Sequence, residues 1–227
     1  GGDDIIGGDT GMDSLFGDNG DDTVFGNGGD DELFGNAGDD LLIGGGAADT
    51  LFGGPGNDLL VSNYIEFGEN GALDITASAT AVLQDGEFQE TENVDFDMLR
   101  EDGAFNGVDI SFLDEASEEE QGGVLFGEAG DDILLLSGGD TAEGGSGEDL
   151  FVLHEDMVDE NTVVITDYED DEDVIALQFD GEEEPVVEVE DNNEDALIRI
   201  GENLIARVEG GAGLSAASIV LIESVAL

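Results

Sequence analysis

The chain has 227 residues, 60 of them Asp or Glu and only three Lys or Arg, for a formal charge of −57. A phosphate backbone or an anionic membrane surface needs clustered Lys and Arg, so nucleic acid is excluded as a partner and anionic membranes are disfavoured. No run of 18 apolar residues exists to insert as a helix, and the absence of cysteine removes disulfides, thiol chemistry and Cys-ligated metals. Yet 39% of the residues are hydrophobic and 12 are Phe, core material that an acidic disordered chain lacks. An acidic, partly apolar chain without Lys fits folding that waits for cations.

Residues 1–61 read in a nine-residue frame without an insertion. After a partial copy over 1–7, the copies are 8–16, 17–25, 26–34, 35–43, 44–52 and 53–61. Position six is always Asp: Asp4, Asp13, Asp22, Asp31, Asp40, Asp49 and Asp58. Position eight is always aliphatic: Ile6, Leu15, Val24, Leu33, Leu42, Leu51 and Leu60. Position four is Gly2, Gly11, Gly20, Gly29, Gly38 and Gly56, with Ala47 the exception, and position one is Gly from Gly8 to Gly53.

One aliphatic in nine cannot bury a face alone, so successive copies must stack. The last three residues of a copy, such as Ser14-Leu15-Phe16, suit a short strand, and the Gly-rich first six suit a turn. Two copies complete a coil of 18 residues. Asp4, Asp22, Asp40 and Asp58 then form one column and Asp13, Asp31 and Asp49 another. Carboxylates stacked at the ~4.8 Å strand spacing repel unless a cation lies between them. Carboxylates and turn carbonyls are hard oxygen donors, which selects Ca²⁺ over softer metals. Seven rungs leave gaps for about five ions. Seven aliphatic side chains are too few to offset the ordering of 61 residues, so metal binding must supply part of the folding free energy.

This frame, Gly-Gly-x-Gly-x-Asp-x-apolar-x, resembles the RTX (repeats-in-toxin) nonapeptide. The resemblance implies an all-β fold, a Ca²⁺-loaded parallel β-roll, with the position-six Asp and turn carbonyls as ligands. On this chain those are the seven Asp residues above and the carbonyls of Gly11, Gly20, Gly29, Gly38 and Gly56. Position two departs from Gly at Asp9, Asp18, Asn27 and Asn36. Because a main-chain carbonyl is the ligand there, little loss is expected.

Residues 62–121 break the frame. Alternating stretches such as Leu73-Asp-Ile75 and Val108-Asp-Ile110 predict short strands continuing the stack through irregular coils, or else a separate insertion. A second repeat block covers 122–152. Gly127–Leu135, with Gly130 and Asp132, and Gly144–Val152, with Gly147 and Asp149, are full copies. Between them lies a copy shortened to eight residues, with Asp140, and the copy before has Gly123 where Asp belongs. One or two further ions are expected there.

Residues 153–227 are predicted to form a carboxy-terminal β cap. Val163–Asp167 and Asp173–Leu177 resemble the strand pair that follows the repeats in RTX proteins. Val186–Val189, Ala196–Ile200 and Leu204–Val208 alternate as a small antiparallel sheet, on which Arg199 and Arg207 should pair with local acids. Asp167–Asp173 reads as a solvated acidic turn. The ending Ser218–Leu227, an acid followed by hydrophobic residues, resembles the uncleaved signal of type I secretion substrates. Because Gly1 falls inside a repeat, more protein is expected upstream.

Catalytic readings fail on the residues. His154-Glu155 lacks the second His of a zinc protease, and Gly144–Glu148 departs from a nucleophile elbow at its last position. The expectation is a non-enzymatic, secreted or cell-surface calcium module that folds after type I secretion and supports an upstream effector. The alternatives are a Ca²⁺-ordered structural or adhesive module of a surface layer, matrix or filament, stacking through its open first rung, or the tail of a secreted hydrolase whose catalytic domain is missing; the position-nine residues Phe16, Phe34 and Phe52 either pack on one another along the roll or form an apolar strip for self-association or partner docking.

Overall fold

The computed structural model describes residues 1–62, 81–84, 87–90, 122–154, 161–170, 172–179, 184–192 and 194–223. It is all-β. The first strands are β1 (Ile5–Gly7), β2 (Ser14–Asn19), β3 (Thr23–Gly28), β4 (Glu32–Ala37), β5 (Leu41–Gly46), β6 (Thr50–Pro55) and β7 (Leu59–Val61). A hairpin of β8 (Ala81–Gln84) and β9 (Glu87–Glu90) follows. Then come β10 (Val124–Ala129), β11 (Ile133–Leu135), β12 (Thr141–Ser146), β13 (Leu150–His154), β14 (Val163–Ile165), β15 (Val174–Phe179), β16 (Val187–Asn192), β17 (Asp195–Ile200), β18 (Asn203–Val208) and β19 (Ile219–Glu223). The remainder of the segment predicted to continue the stack, 63–121, lies outside the described residues.

The chain winds between two sheets. Sheet A has the order β1-β3-β5-β7-β11-β13-β15-β19, and sheet B the order β16-β17-β18-β14-β12-β10-β6-β4-β2. Pairing within the roll is parallel and in frame: Leu15 lies opposite Leu33, and Val24 opposite Leu42. The strands are longer than the predicted three residues. A six-residue strand such as Ser14–Asn19 runs through positions seven to three of the next copy, leaving only positions four to six as the turn. Pairing resumes beyond the position-one Gly because the next residue takes a left-handed bend, at φ 81° for Asp18 and 78° for Asn36. Asp and Asn are the non-Gly residues that enter that region most readily, which explains their use at position two.

Position-eight side chains meet between the sheets. Val24, Leu42, Leu60, Leu134, Phe151 and Ile175 face Leu33, Leu51, Leu125, Ala142 and Ile165 in one fully buried cluster. Each aliphatic burial stabilises by about 1.5–3 kcal/mol, and only the stack makes that burial possible.

β6 pairs directly with β10, and β7 with β11. The second repeat block therefore sits on the first in unbroken frame. β14 and β15, predicted as a pair, lie in different sheets and extend the stacks of β12 and β13. The antiparallel strands β16, β17 and β18 are joined to the end of sheet B through a parallel β14–β18 pair. Ile219–Glu223 of the expected secretion signal forms the last strand of sheet A, against β15. Arg199 pairs with Glu190 at 3.3 Å, and Arg207 with Asp195 at 3.4 Å and Glu209 at 2.6 Å.

Candidate metal centre

The turns place the position-six Asp residues in two columns. In the first, each main-chain N–H donates to the carboxylate one coil further on. Asp4 donates to Asp22 Oδ1 at 2.7 Å, Asp22 to Asp40 at 2.7 Å, and Asp40 to Asp58 at 2.8 Å. The column crosses the long insertion without a break: Asp58 N–H donates to Asp132 Oδ1 at 2.7 Å, Asp132 to Asp149 at 3.0 Å, and Asp149 to Asp173 at 3.1 Å. In the second column Asp13 donates to Asp31 at 2.8 Å and Asp31 to Asp49 at 2.9 Å. Gly123 then stands in place of an Asp, so it brings no carboxylate to Asp49, but its own N–H donates to Asp140 at 2.7 Å.

Oδ1 is thus satisfied and Oδ2 is not. The Oδ2 atoms of Asp22, Asp31, Asp40, Asp49, Asp58 and Asp132 are buried without a hydrogen-bond partner. Each points into the space left by the missing Cβ of a position-one glycine, where a main-chain carbonyl also converges. A Cβ built on Gly26 would lie 2.6 Å from Asp31 Oδ2 and 2.5 Å from the carbonyl oxygen of Gly44. One on Gly44 would lie 2.5 Å from Asp49 Oδ2 and 2.6 Å from the carbonyl oxygen of Ser62. These two converging groups are both hydrogen-bond acceptors. A buried pair of acceptors is costly unless a proton or a cation joins them, and all-oxygen sets suit Ca²⁺. Among the described residues no three acidic or His side chains converge on one point. Any ion held here would take one carboxylate per rung and complete its shell with main-chain carbonyls.

The position-four glycines Gly11, Gly20, Gly29, Gly38, Gly56, Gly130 and Gly147 all have φ between 121° and 151°, save none. Their carbonyls abut the next coil: a Cβ on Gly29 would collide with the carbonyl oxygen of Gly11, and one on Gly56 with that of Gly38. Ala47 occupies the same position at φ 82°.

Burial is the first cause of a common electrostatic shift. It pushes the Asp49, Asp58 and Asp149 carboxyls up to about 7 and Asp132 to about 8. Main-chain hydrogen bonds oppose the rise, and neighbouring carboxylates of the column add to it. Asp31 and Asp40 shift the same way for the same reasons. At neutral pH without cations Asp49, Asp58, Asp132 and Asp149 are poised to hold protons.

Sequence reasoning missed two features. The first is a second ladder at position five, running in the opposite sense: Asp21 N–H donates to Asp3 Oδ1 at 3.1 Å, Asp39 to Asp21 at 3.0 Å, Asn57 to Asp39 at 2.9 Å and Asp131 to Asn57 at 3.1 Å. The recurring Asp or Asn at position five of that column was the available signal. The second is the termini of the columns. Asp173 accepts from Asp149 through Oδ1 and from Glu169 N–H through Oδ2 at 2.8 Å. Asp140 accepts from Gly123 and, through Oδ2, from Ser137 N–H at 2.6 Å. Asp167 receives Gly144 and Gly145 N–H at 3.0 and 2.8 Å. The predicted solvated turn therefore closes the roll. His154 is half-buried at the end of β13, and Gly144–Glu148 is a repeat turn with Gly145 and Gly147 at positive φ.

Parallel coils of nine-residue half-turns with inward carboxylate columns define a β-roll of nonapeptide repeats. Residues 1–33, 25–60 and 124–141 match the model of the RTX calcium-binding nonapeptide repeat (4 copies), so the chain carries RTX calcium-binding repeats. No curated protein matches the sequence. Among solved structures, the AlgE6R3 subunit of the Azotobacter vinelandii mannuronan C5-epimerase is similar at 20% identity and TM-score 0.31, over 82% of this chain and 80% of that one. The extracellular lipase LipA of Serratia marcescens is similar at 16% identity and TM-score 0.33, over 97% of this chain and 38% of the lipase. Neither superposition is close enough to add to what the strand pairing shows.

Proposed function

We propose that this chain is a calcium-folded module that leaves the cell through a type I secretion machinery and folds outside it. The supporting observation is the row of six buried, unpartnered Oδ2 atoms, each sharing its space with a main-chain carbonyl. In this reading Asp22, Asp31, Asp40, Asp49, Asp58 and Asp132 are ligands, with Asp4, Asp13 and Asp149 at the outer rungs. In this reading one ion per unpartnered oxygen gives five ions in 1–61 and one in 122–152, where about five and one or two are expected from the repeats. Asp140 and Asp173, whose oxygens already accept main-chain hydrogens, close the columns rather than hold metal.

Extracellular calcium modules bind with dissociation constants of about 10⁻⁴–10⁻³ M. Such sites stay empty in a cytosol poor in Ca²⁺ and fill at ~mM outside, so binding free energy becomes folding free energy after export. The module's task is then to fold at the cell surface or beyond it and to support the effector domain to which it is joined. A Ca²⁺ titration from chelator to about 10 mM, followed by circular dichroism with Mg²⁺ as control, tests the reading. A coil-to-β transition with Ca²⁺ alone is expected, and a chain equally folded in chelator overturns it.

One observation favours a second reading, assembly. Phe16, Phe34, Phe52 and Phe126 stack along the outside of sheet B with ring centroids 4.7, 4.8 and 5.0 Å apart, and Phe16 is 54% exposed. Light scattering during the same titration separates the two: constant mass supports the secretion module, and growth that disappears when Phe16, Phe34 and Phe52 are replaced by Thr supports assembly.

A further inference from the structure

The position-one glycines of the roll answer to the Asp of their own copy. A Cβ on Gly17, Gly26, Gly35, Gly44, Gly53 or Gly127 would lie within 2.6 Å of that Asp's Oδ2. One coil departs from the pattern in both members. Ser62 stands at its position one, since its carbonyl oxygen meets Gly44 as that of Gly44 meets Gly26. Gly123 stands at its position six, since Val124 N–H donates to the Asp49 carbonyl as Thr50 N–H does to that of Asp31. The two exchanges compensate. Without a carboxylate at position six, the space is open to the Ser62 side chain, and Ser62 is 6% exposed. A carboxylate could not simply return, because a Cβ on Gly123 would press to 2.8 Å on the Asp49 carbonyl oxygen.

The Ser62 hydroxyl donates to the Asp140 carboxylate. That carboxylate also accepts Gly123 N–H on Oδ1 at 2.7 Å and Ser137 N–H on Oδ2 at 2.6 Å. Asp140 is fully buried, so at this rung hydrogen donors satisfy a carboxylate that would otherwise call for a cation. Asp49, one coil earlier, keeps an unpartnered Oδ2, and the carbonyl converging on its space is that of Ser62. Ser62 therefore faces both ways. β5 runs on to Gly46, whereas β7 ends at Val61. Just beyond that end, Ser62 keeps one backbone bond on each side, its N–H to the Leu135 carbonyl and its own carbonyl from Gly45 N–H, both at 3.2 Å. The hydroxyl bond to Asp140 adds a side-chain tie. Resting on the calcium reading above, we propose that Ser62 is a positioning residue: its hydroxyl, anchored on Asp140, takes the place of an ion at its own rung and holds its carbonyl as a ligand of the ion at Asp49, the last of the second column.

Calcium bound per chain, measured by equilibrium dialysis over a series of free Ca²⁺ concentrations on the full chain, tests this. Partners that orient a metal ligand typically change affinity by 10–100-fold when removed. Ser62→Ala should therefore bind as many ions as the parent, but fill one of them at roughly tenfold higher free Ca²⁺ or more. Asp49→Asn should lack one ion throughout. Adding Ser62→Ala to Asp49→Asn should shift nothing further, because the ion concerned is already gone. Should Ser62→Ala fail to fold in Ca²⁺, Asp140→Asn carries the test, since it alters the other end of the bond and should delay the same single ion. A Ser62→Ala shift that covers the whole curve, or persists in the Asp49→Asn chain, overturns the proposal, as does Asp140→Asn losing an ion outright, because Asp140 would then be a ligand. A parent without bound calcium overturns the calcium reading together with this one. A calcium-loaded parent whose curve Ser62→Ala retraces overturns this one alone.

Discussion

Asp58→Asn separates the two states of the roll. Asp58 Oδ1 accepts the Asp40 N–H at 2.8 Å, and an Asn oxygen keeps that bond. Its Oδ2 is buried without a partner, beside the carbonyl of Gly127. In Asn that atom becomes an N–H donor able to reach the carbonyl. An unsatisfied buried polar group costs about 1–3 kcal/mol, so in chelator at a pH above the raised Asp58 value of about 7, where the carboxyl is ionised, the variant should be more stable than the parent by about that amount. In calcium the order reverses. A site filled to 100 times its dissociation constant contributes about 2.7 kcal/mol, and the variant loses this increment once, or twice if the carboxylate serves the gaps on both sides. Urea unfolding in chelator and at about 10 mM Ca²⁺ measures both differences on the same samples. A variant that is destabilised in chelator and keeps the parent's full calcium increment would refute the reasoning, because Oδ2 would then be neither a burden without metal nor a ligand with it.

Other substitutions probe the remaining parts of the site. Asp173→Asn puts a donor where Oδ2 now accepts the Glu169 N–H, and should cost about 1–3 kcal/mol in urea unfolding equally with and without calcium. Ala47→Gly relieves a left-handed alanine at φ 82° and should raise stability by about 1 kcal/mol, read as a higher urea midpoint at unchanged slope. The pH dependence of the calcium-free chain follows from carboxyls raised to about 7 and 8. The folded state keeps protons that the unfolded chain releases above about 4, so stability should fall as pH rises from about 4 to about 8 and level off beyond. Saturating calcium should flatten that slope, and pH-stat titration should record protons released on binding near neutral pH.

The position-six and position-eight columns were legible because each recurs at every ninth residue, and a repeat that strict has one way to stack. The strand length was not. Reading Gly as turn placed positions one to three outside the strand, whereas a single left-handed residue such as Asp18 lets pairing continue past Gly17. Nor could the frame show that Asp132 sits beside Asp58, since stacking across 74 residues is decided by where the chain returns, not by local pattern. The role of Asp173 was not legible for a related reason. Its local sequence is an acidic turn, and only the long-range Asp149 N–H bond makes it the last rung.

The opposed ladders give the roll its logic. At position six an amide reaches forward to the carboxylate of the next coil; at position five the amide of the next coil reaches back. From Asp4 to Asp58 each junction of the first column is therefore held by two carboxylate-accepted bonds of opposite direction, stronger than neutral ones, and a coil added there in the wrong register forfeits both. The same arrangement spends Oδ1 on register and leaves Oδ2 to face a carbonyl in a donor-free space. Specificity of stacking and demand for a cation are thus two ends of one carboxylate. Replacing Asp by an apolar residue at position six removes the register bond along with the ligand, while Asn keeps the register bond and discards only the charge. A chain with Asn at all six positions should accordingly fold without calcium into the same roll, and lose the dependence that confines folding to places where the ion is plentiful.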